Sequence, residues 1–363
     1  MMGSPPRRFD LDRTALTLSR ARQAAMLWLV LCAGLAAAGQ GHATADLPQL
    51  PAVKSPLASR ALLTDSARAG ERIVAVGAHG NIVYSDDGGS HWQQADRVPT
   101  QVLLTSVYFV DDRRGWAAGH DSLILRTTDG GLTWETVYEN RIPDGDVPKP
   151  ILGLYFSDPL HGIAVGAFSL LLITADGGTH WQEIDVGPLR ALLSAAGQEP
   201  EPNLNAIAPL ADGFLIVGEL GTLLHYRPYT DSEPDPEPAT RWRILDSPYG
   251  GSYFGIESSA PDDLLIYGLR GHCYRSRDSG QTWLEVTTDT TANLYDLLRL
   301  DNGDLIAVGA GGFIARLPHD GTAAERLPYA GFDGLVSMQR AATDRLLLFG
   351  EAGVRDFSLP ETP

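Results

Sequence analysis

One phrase recurs along this 363-residue chain, and it restricts the fold more than any other feature. An apolar run ends in glycine, a short turn and a second apolar run follow, and Ser/Thr-x-Asp-x-Gly-x-x-Trp closes the unit. It reads IVAVGAHGNIVYSDDGGSHW from Ile73 to Trp92, and GWAAGHDSLILRTTDGGLTW from Gly115 to Trp134. It returns as GIAVGAFSLLLITADGGTHW from Gly162 to Trp181, and as LLIYGLRGHCYRSRDSGQTW from Leu264 to Trp283. In all four copies the anchor glycine stands 15 residues before the tryptophan. Three degenerate copies lie at Phe214–Tyr226, at Leu305–Leu317 (which keeps Asp320-Gly321 of the later turn) and at Leu346–Leu359.

The seven anchor glycines, Gly77, Gly119, Gly166, Gly218, Gly268, Gly309 and Gly350, are 42, 47, 52, 50, 41 and 41 residues apart. That period matches one four-stranded blade of a β-propeller. In the second copy the pattern predicts strand a at Leu104–Val110, b at Gly115–Gly119, c at Leu123–Thr127 and d at Thr133–Val137. No segment shows sustained helical periodicity. The expected fold is all-β: a seven-bladed propeller of four-stranded antiparallel blades. The last unit supplies only three strands, so Leu47–Val53 is expected to form the outer strand of blade seven and close the ring.

Upstream of the repeats, Arg7, Arg8, Arg13, Arg20 and Arg22 precede an apolar run from Ala24 to Ala38 and an A-x-A site at Ala43-Thr44-Ala45. This is the three-part pattern of a cleaved signal peptide, with a run short of the roughly 20 residues a spanning helix needs. Residues 1–45 are therefore read as the signal peptide and 46–363 as one propeller domain, exported to the periplasm. Cys32 follows Leu29-Val30-Leu31 with no small residue on that side, so a direct lipid anchor is not expected. Removing the leader's five arginines and two aspartates leaves 23 basic against 43 acidic side chains, a formal charge of −20. Such a field opposes nucleic acid and anionic headgroups as direct partners. Cys273 alone remains, so no internal disulfide forms, and the protein is expected to be a monomer held by packing.

At the recurrent turn, Asp87, Asp129, Asp176 and Asp278 are suited to accept backbone N–H bonds, and Gly89, Gly131, Gly178 and Gly280 to take backbone angles closed to other residues. Trp92, Trp134, Trp181 and Trp283 are expected to bury their rings between blades. One carboxylate repeated around a ring is a structural device rather than a catalytic centre. The motif resembles the Asp-box, or BNR repeat, of sialidases, sortilin-like receptors and photosystem assembly factors. The wider phrase Arg114-Gly115-Trp116-Ala117-Ala118-Gly119 through Thr128-Asp129-Gly130-Gly131-Leu132-Thr133-Trp134 is similar to the photosystem II stability/assembly factor family of plants and cyanobacteria. That resemblance implies a non-catalytic assembly or scaffolding factor that holds an immature membrane protein, without cofactor or metal. Relatives occur in bacteria without photosystems, so the partner it implies is a membrane or envelope protein complex.

The competing reading is a glycan hydrolase or sugar-binding module of the sialidase class, since Arg141-Ile142-Pro143 imitates that family's arginine motif. Here, however, the tripeptide follows two Asp-boxes instead of preceding the first, and seven units replace six. No nucleophile elbow, P-loop, dinucleotide fingerprint or HExxH occurs. His79, His120 and His272 fall on b–c turns but at unequal offsets, which fits solvated turns better than a metal site.

By analogy with other propellers, binding is expected on the face made by b–c turns and d–a loops, opposite the Asp-boxes. The turns there carry His79, His120, Phe168, Glu219, Arg270, His272 and Glu351, and the loops add Tyr138, Arg141, Tyr249 and Tyr253. Aromatics mixed with arginine suit protein recognition; the plainer alternative is a solvated rim. Gln198–Asn203 and the proline-acid segment Arg227–Thr240 read as insertions.

Overall fold

The computed structural model describes residues 50–140, 148–228, 238–319 and 324–360. Their strands form seven antiparallel sheets in which chain order is spatial order. The inner strands are Leu63–Ala69, Leu104–Phe109, Ile151–Phe156, Leu204–Leu210, Tyr253–Ala260, Leu294–Arg299 and Leu335–Ala342. Each packs beside the next, and the last beside the first, so seven blades close around an axial channel. Blade two takes the expected form, with strand b at Gly115–Gly119 and strand c at Leu123–Thr127; its outer strand, Glu135–Glu139, lies two residues later than the pattern predicts.

Alternate residues of a strand face opposite sides of its sheet, so every blade presents one apolar face to each neighbour. Seven buried clusters result, one at each junction. Val74, Tyr84 and Trp134 belong to the first between blades one and two. Ile73, Val83, Leu347 and Phe349 belong to the one that joins blade seven to blade one. The anchor glycines have a steric cause. A Cβ on Gly77, Gly119, Gly166, Gly218, Gly268, Gly309 or Gly350 would press into the carbonyl oxygen just before its own blade's inner strand. Polar side chains near the start of the inner strands add lateral ties: Thr64 donates to the Leu104 carbonyl, Thr105 to Ile151 and Asn205 to Tyr253.

Two features depart from the sequence pattern. Blade seven has three strands among the described residues, Leu335–Ala342, Arg345–Gly350 and Gly353–Ser358. Of the stretch expected to complete it, Leu50–Val53 forms no strand, and Leu47–Gln49 lies outside the described residues. Ala52, Val53 and Lys54 instead run along the outer edge of blade one. The Ala52 N–H bonds to Val98 O at 2.9 Å, and the Lys54 ammonium caps the Gln94 and Ala95 carbonyls at 2.8 and 2.6 Å. Pro51 and Pro56 have no N–H to give a ladder. Closure falls to the inner strands, where Ser66 and Ser337 hydroxyls meet at 2.7 Å and the Gln339 amide donates to Ser66 O. The second departure is a helix, α1 (Gly187–Ala195), between blades three and four. Leu189 and Leu193, one turn apart, enter the blade three–four cluster. At nine residues it is too short to stand out as a periodic pattern.

Candidate functional site

The Asp-box face is built as a set of small hydrogen-bonded knots. In blade two the Thr127 hydroxyl donates to Asp129 Oδ1 at 2.8 Å and accepts from the Gly131 N–H at 3.0 Å. The same Oδ1 accepts from the Thr133 N–H at 2.9 Å, and Oδ2 accepts from the Thr133 hydroxyl at 2.6 Å. Blades one, three and five repeat the arrangement around Asp87, Asp176 and Asp278, with His91, His180 and Thr282 in the place of Thr133. Gly131 sits at φ +88° against Val74 of blade one, where a side chain has neither the angle nor the room. Hydrogen bonding holds all four carboxyls below the usual range, Asp176 and Asp278 down to about 2. Each carboxylate spends three of its roughly four lone-pair sites on its own turn, which agrees with the structural role. Trp134 is 1% exposed, and its Nε1 donates to Gly131 O; Trp92, Trp181 and Trp283 are half-buried against the preceding blade.

The opposite face is made of b–c turns with an uncommon backbone. The second residue after the anchor glycine is left-handed in six blades: His79 (φ 59°), Asp121 (57°), Phe168 (54°), Leu220 (53°), Arg270 (58°) and Gly311 (64°). Glycine suits that conformation, yet five of these turns use a residue with a side chain. All five of those side chains are exposed. Phe168 and Leu220 are 49% and 63% exposed. Asn203 joins their two turns. Its Oδ1 accepts from the Phe168 N–H at 3.0 Å, and its carbonyl accepts from the Glu219 N–H at 3.0 Å.

The other expected contact residues separate. Tyr249 is stacked on His272 with ring centroids 3.8 Å apart, and His272 Nδ1 lies 3.1 Å from the Tyr274 hydroxyl. Tyr253 is 0% exposed and begins the inner strand of blade five, its hydroxyl 2.8 Å from Ser247 Oγ; it is core, not contact surface. Tyr138 sits in the outer strand of blade two, half-buried, rather than in a loop. His120 and Glu219, one residue before the left-handed position, are also half-buried, whereas Glu351 is exposed. Arg141, Asp320-Gly321 and 229–237 of the proline-acid segment lie outside the described residues. Leu220 was missed because Glu219 beside it carries the charge; aligning all seven turns on their anchor glycines would have found it.

Sequence reasoning also passed over the channel. Asp65 on blade one accepts from the Val107 N–H of blade two at 2.8 Å. Asp296 on blade six accepts from the Met338 N–H of blade seven at the same distance. Burial pushes both carboxyls up, Asp65 to about 6 and Asp296 to about 8. Glu257 nearby makes a bidentate pair with Arg299 at 2.6 and 2.9 Å.

Residues 142–322 match the family model described as photosynthesis system II assembly factor YCF48. The chain belongs to that assembly-factor family. The matched stretch takes in blades three to five and the first three strands of blade six. It includes Phe168, Leu220, Tyr249, Arg270 and His272. A photosystem II assembly lipoprotein Ycf48 from Synechococcus sp. (strain CC9902) is 33% identical over 72 residues, 19% of this chain. The match spans about a fifth (21%) of that relative's length. Among solved structures, YCF48 from Cyanidioschyzon merolae is similar with a TM-score of 0.65 at 18% identity, covering 85% of this chain and 98% of that one. YCF48 bound to D1 peptide follows at 0.62 and 16%, covering 86% and 100%. The WD40 propeller domain of Doa1, at 0.60 and 12% over 86% and 97%, shares the architecture alone.

Proposed function

We propose that this chain is an exported, non-catalytic assembly factor that binds a subunit of a membrane protein complex. The observation that carries the reading is the family match across four consecutive blades. A second support is that one structural neighbour is a YCF48 bound to D1 peptide, a ring of the same architecture engaged with a segment of another protein. The site chemistry agrees: the repeated carboxylates are occupied by their own turns, and the surface residues of the other face are the mixed aromatic, apolar and charged kind that recognise polypeptide. In this reading residues 46–363 are the mature monomer, released by cleavage after Ala45.

Affinity capture by the mature chain from detergent-solubilised membranes of its host tests the binding role. Enrichment of a subunit of one membrane complex is expected; recovery of none above a mock column refutes it. Incubation with fluorogenic glycosides tests the non-catalytic part, and turnover abolished by Arg141→Ala would replace the proposal with a hydrolase. N-terminal sequencing of the periplasmic fraction is expected to begin at Asp46.

A further inference from the structure

We infer that the Phe168 and Leu220 turns of blades three and four form the anchor of the partner site, and that it takes an extended peptide segment carrying apolar and basic side chains. This rests on the assembly-factor reading above and adds where and what the factor binds. The first ground is backbone cost. A side chain in the left-handed region is strained by its Cβ, and glycine escapes that strain. Gly311 occupies the same turn position in blade six, so the fold accepts glycine there. Phe168 and Leu220 keep strained backbones while leaving about half or more of their surface in water. Neither strain nor exposure serves the folded monomer, and both are explained by a contact made with something else.

The second ground is that the two turns form a unit. Asn203 accepts a main-chain N–H from each turn, so two adjacent blades hold their apolar tips in fixed register. The third is charge. Glu219 stands next to Leu220 in sequence, and its carboxylate takes the Asn203 N–H at 3.4 Å. Glu199, in the connection that ends at Asn203, is exposed. Arg190 of α1 is engaged by Glu201 at 2.7 Å, and Lys149 by Glu183 at 3.2 Å. Among the described residues neither Glu219 nor Glu199 has an ion pair, and on a chain of formal charge −20 after leader removal that favours a basic segment over an acidic one.

The test uses labelled decapeptides of alternating leucine and lysine, leucine and glutamate, or serine and lysine, with fluorescence anisotropy on the mature chain. The leucine–lysine peptide is expected to bind at least ten-fold more tightly than either other peptide. The double variant Phe168→Gly/Leu220→Gly is expected to lose at least ten-fold of that affinity. Its melting temperature should hold or rise by about 1–2 °C as strain is released. Leu160→Ser, on an exposed turn of the opposite face, should change neither. Equal binding by the double variant, or by the leucine–glutamate peptide, overturns the inference; so does a melting temperature several degrees lower. Repeating the membrane capture separates this claim from the one beneath it. A subunit captured equally by wild type and double variant sinks the site alone, whereas capture of none by wild type sinks the assembly-factor reading.

Discussion

Asp296→Asn should make the protein more stable, and more so as pH rises. Burial and nearby charge raise the Asp296 carboxyl from its ordinary 3.8 to about 8 in the folded chain. Burial is the main cause, opposed by the Met338 and Leu297 N–H bonds and reinforced by the charges of Asp65 and Glu257. An acid whose folded value is raised favours the unfolded state once the pH passes the unfolded value. The loss begins near pH 4, grows up to about pH 8 and then levels off. At pH 7 the two values differ by an amount worth about 4 kcal/mol. The residue is half-buried rather than sealed from water, and solvent screens part of that cost, so about 2 kcal/mol is the expected gain. Asparagine keeps an oxygen for the Met338 N–H and carries no charge. For a domain of this size the gain corresponds to roughly 3 °C in melting temperature. Calorimetric scans of wild type and variant at pH 4, 6, 7 and 9 would read it. The difference should be near zero at pH 4 and largest at pH 9. A variant less stable at pH 9, or a difference constant with pH, would refute the reasoning.

Other outcomes follow from burial and packing. Trp134→Ala removes a ring that is 1% exposed between blades one and two, and should cost about 3–5 kcal/mol in urea unfolding. A loss below 1 kcal/mol would show that the junction does not depend on it. Burial pushes the Cys273 thiol up to about 12, so iodoacetamide at pH 8 should label it only after denaturation. Labelling of native protein within minutes would count against the packing at the blade five–six junction.

The architecture was readable because its cause repeats. Every blade needs a glycine where strand b passes the carbonyl ahead of strand a, and blades one, two, three and five carry a compact knot before strand d. Those demands leave residues at fixed intervals, such as Gly119 and Trp134. What the sequence hid was set by neighbours, not by the repeat. Tyr253 resembles a loop aromatic until the inner strand of blade five is seen to start there. Asp65 and Asp296 occupy positions that are Ser106, Gly153 and Ala206 in other blades, so no period announces them. The helix after blade three rests on two leucines, too few for a pattern. At the contact face, charge drew attention to Glu219, whereas Leu220 stands out by an exposed apolar side chain on a left-handed turn, a combination invisible in one sequence.

The three-stranded seventh blade has a mechanical consequence. At six junctions around the ring a continuous main chain crosses from one blade to the next. At the seventh, blade one meets blade seven only through side chains and backbone bonds such as Ser66 to Ser337 and Gln339 to Ser66. Heat or pulling on the two ends should therefore unzip the circle at that seam first, turning it into an open arc before any single sheet comes apart.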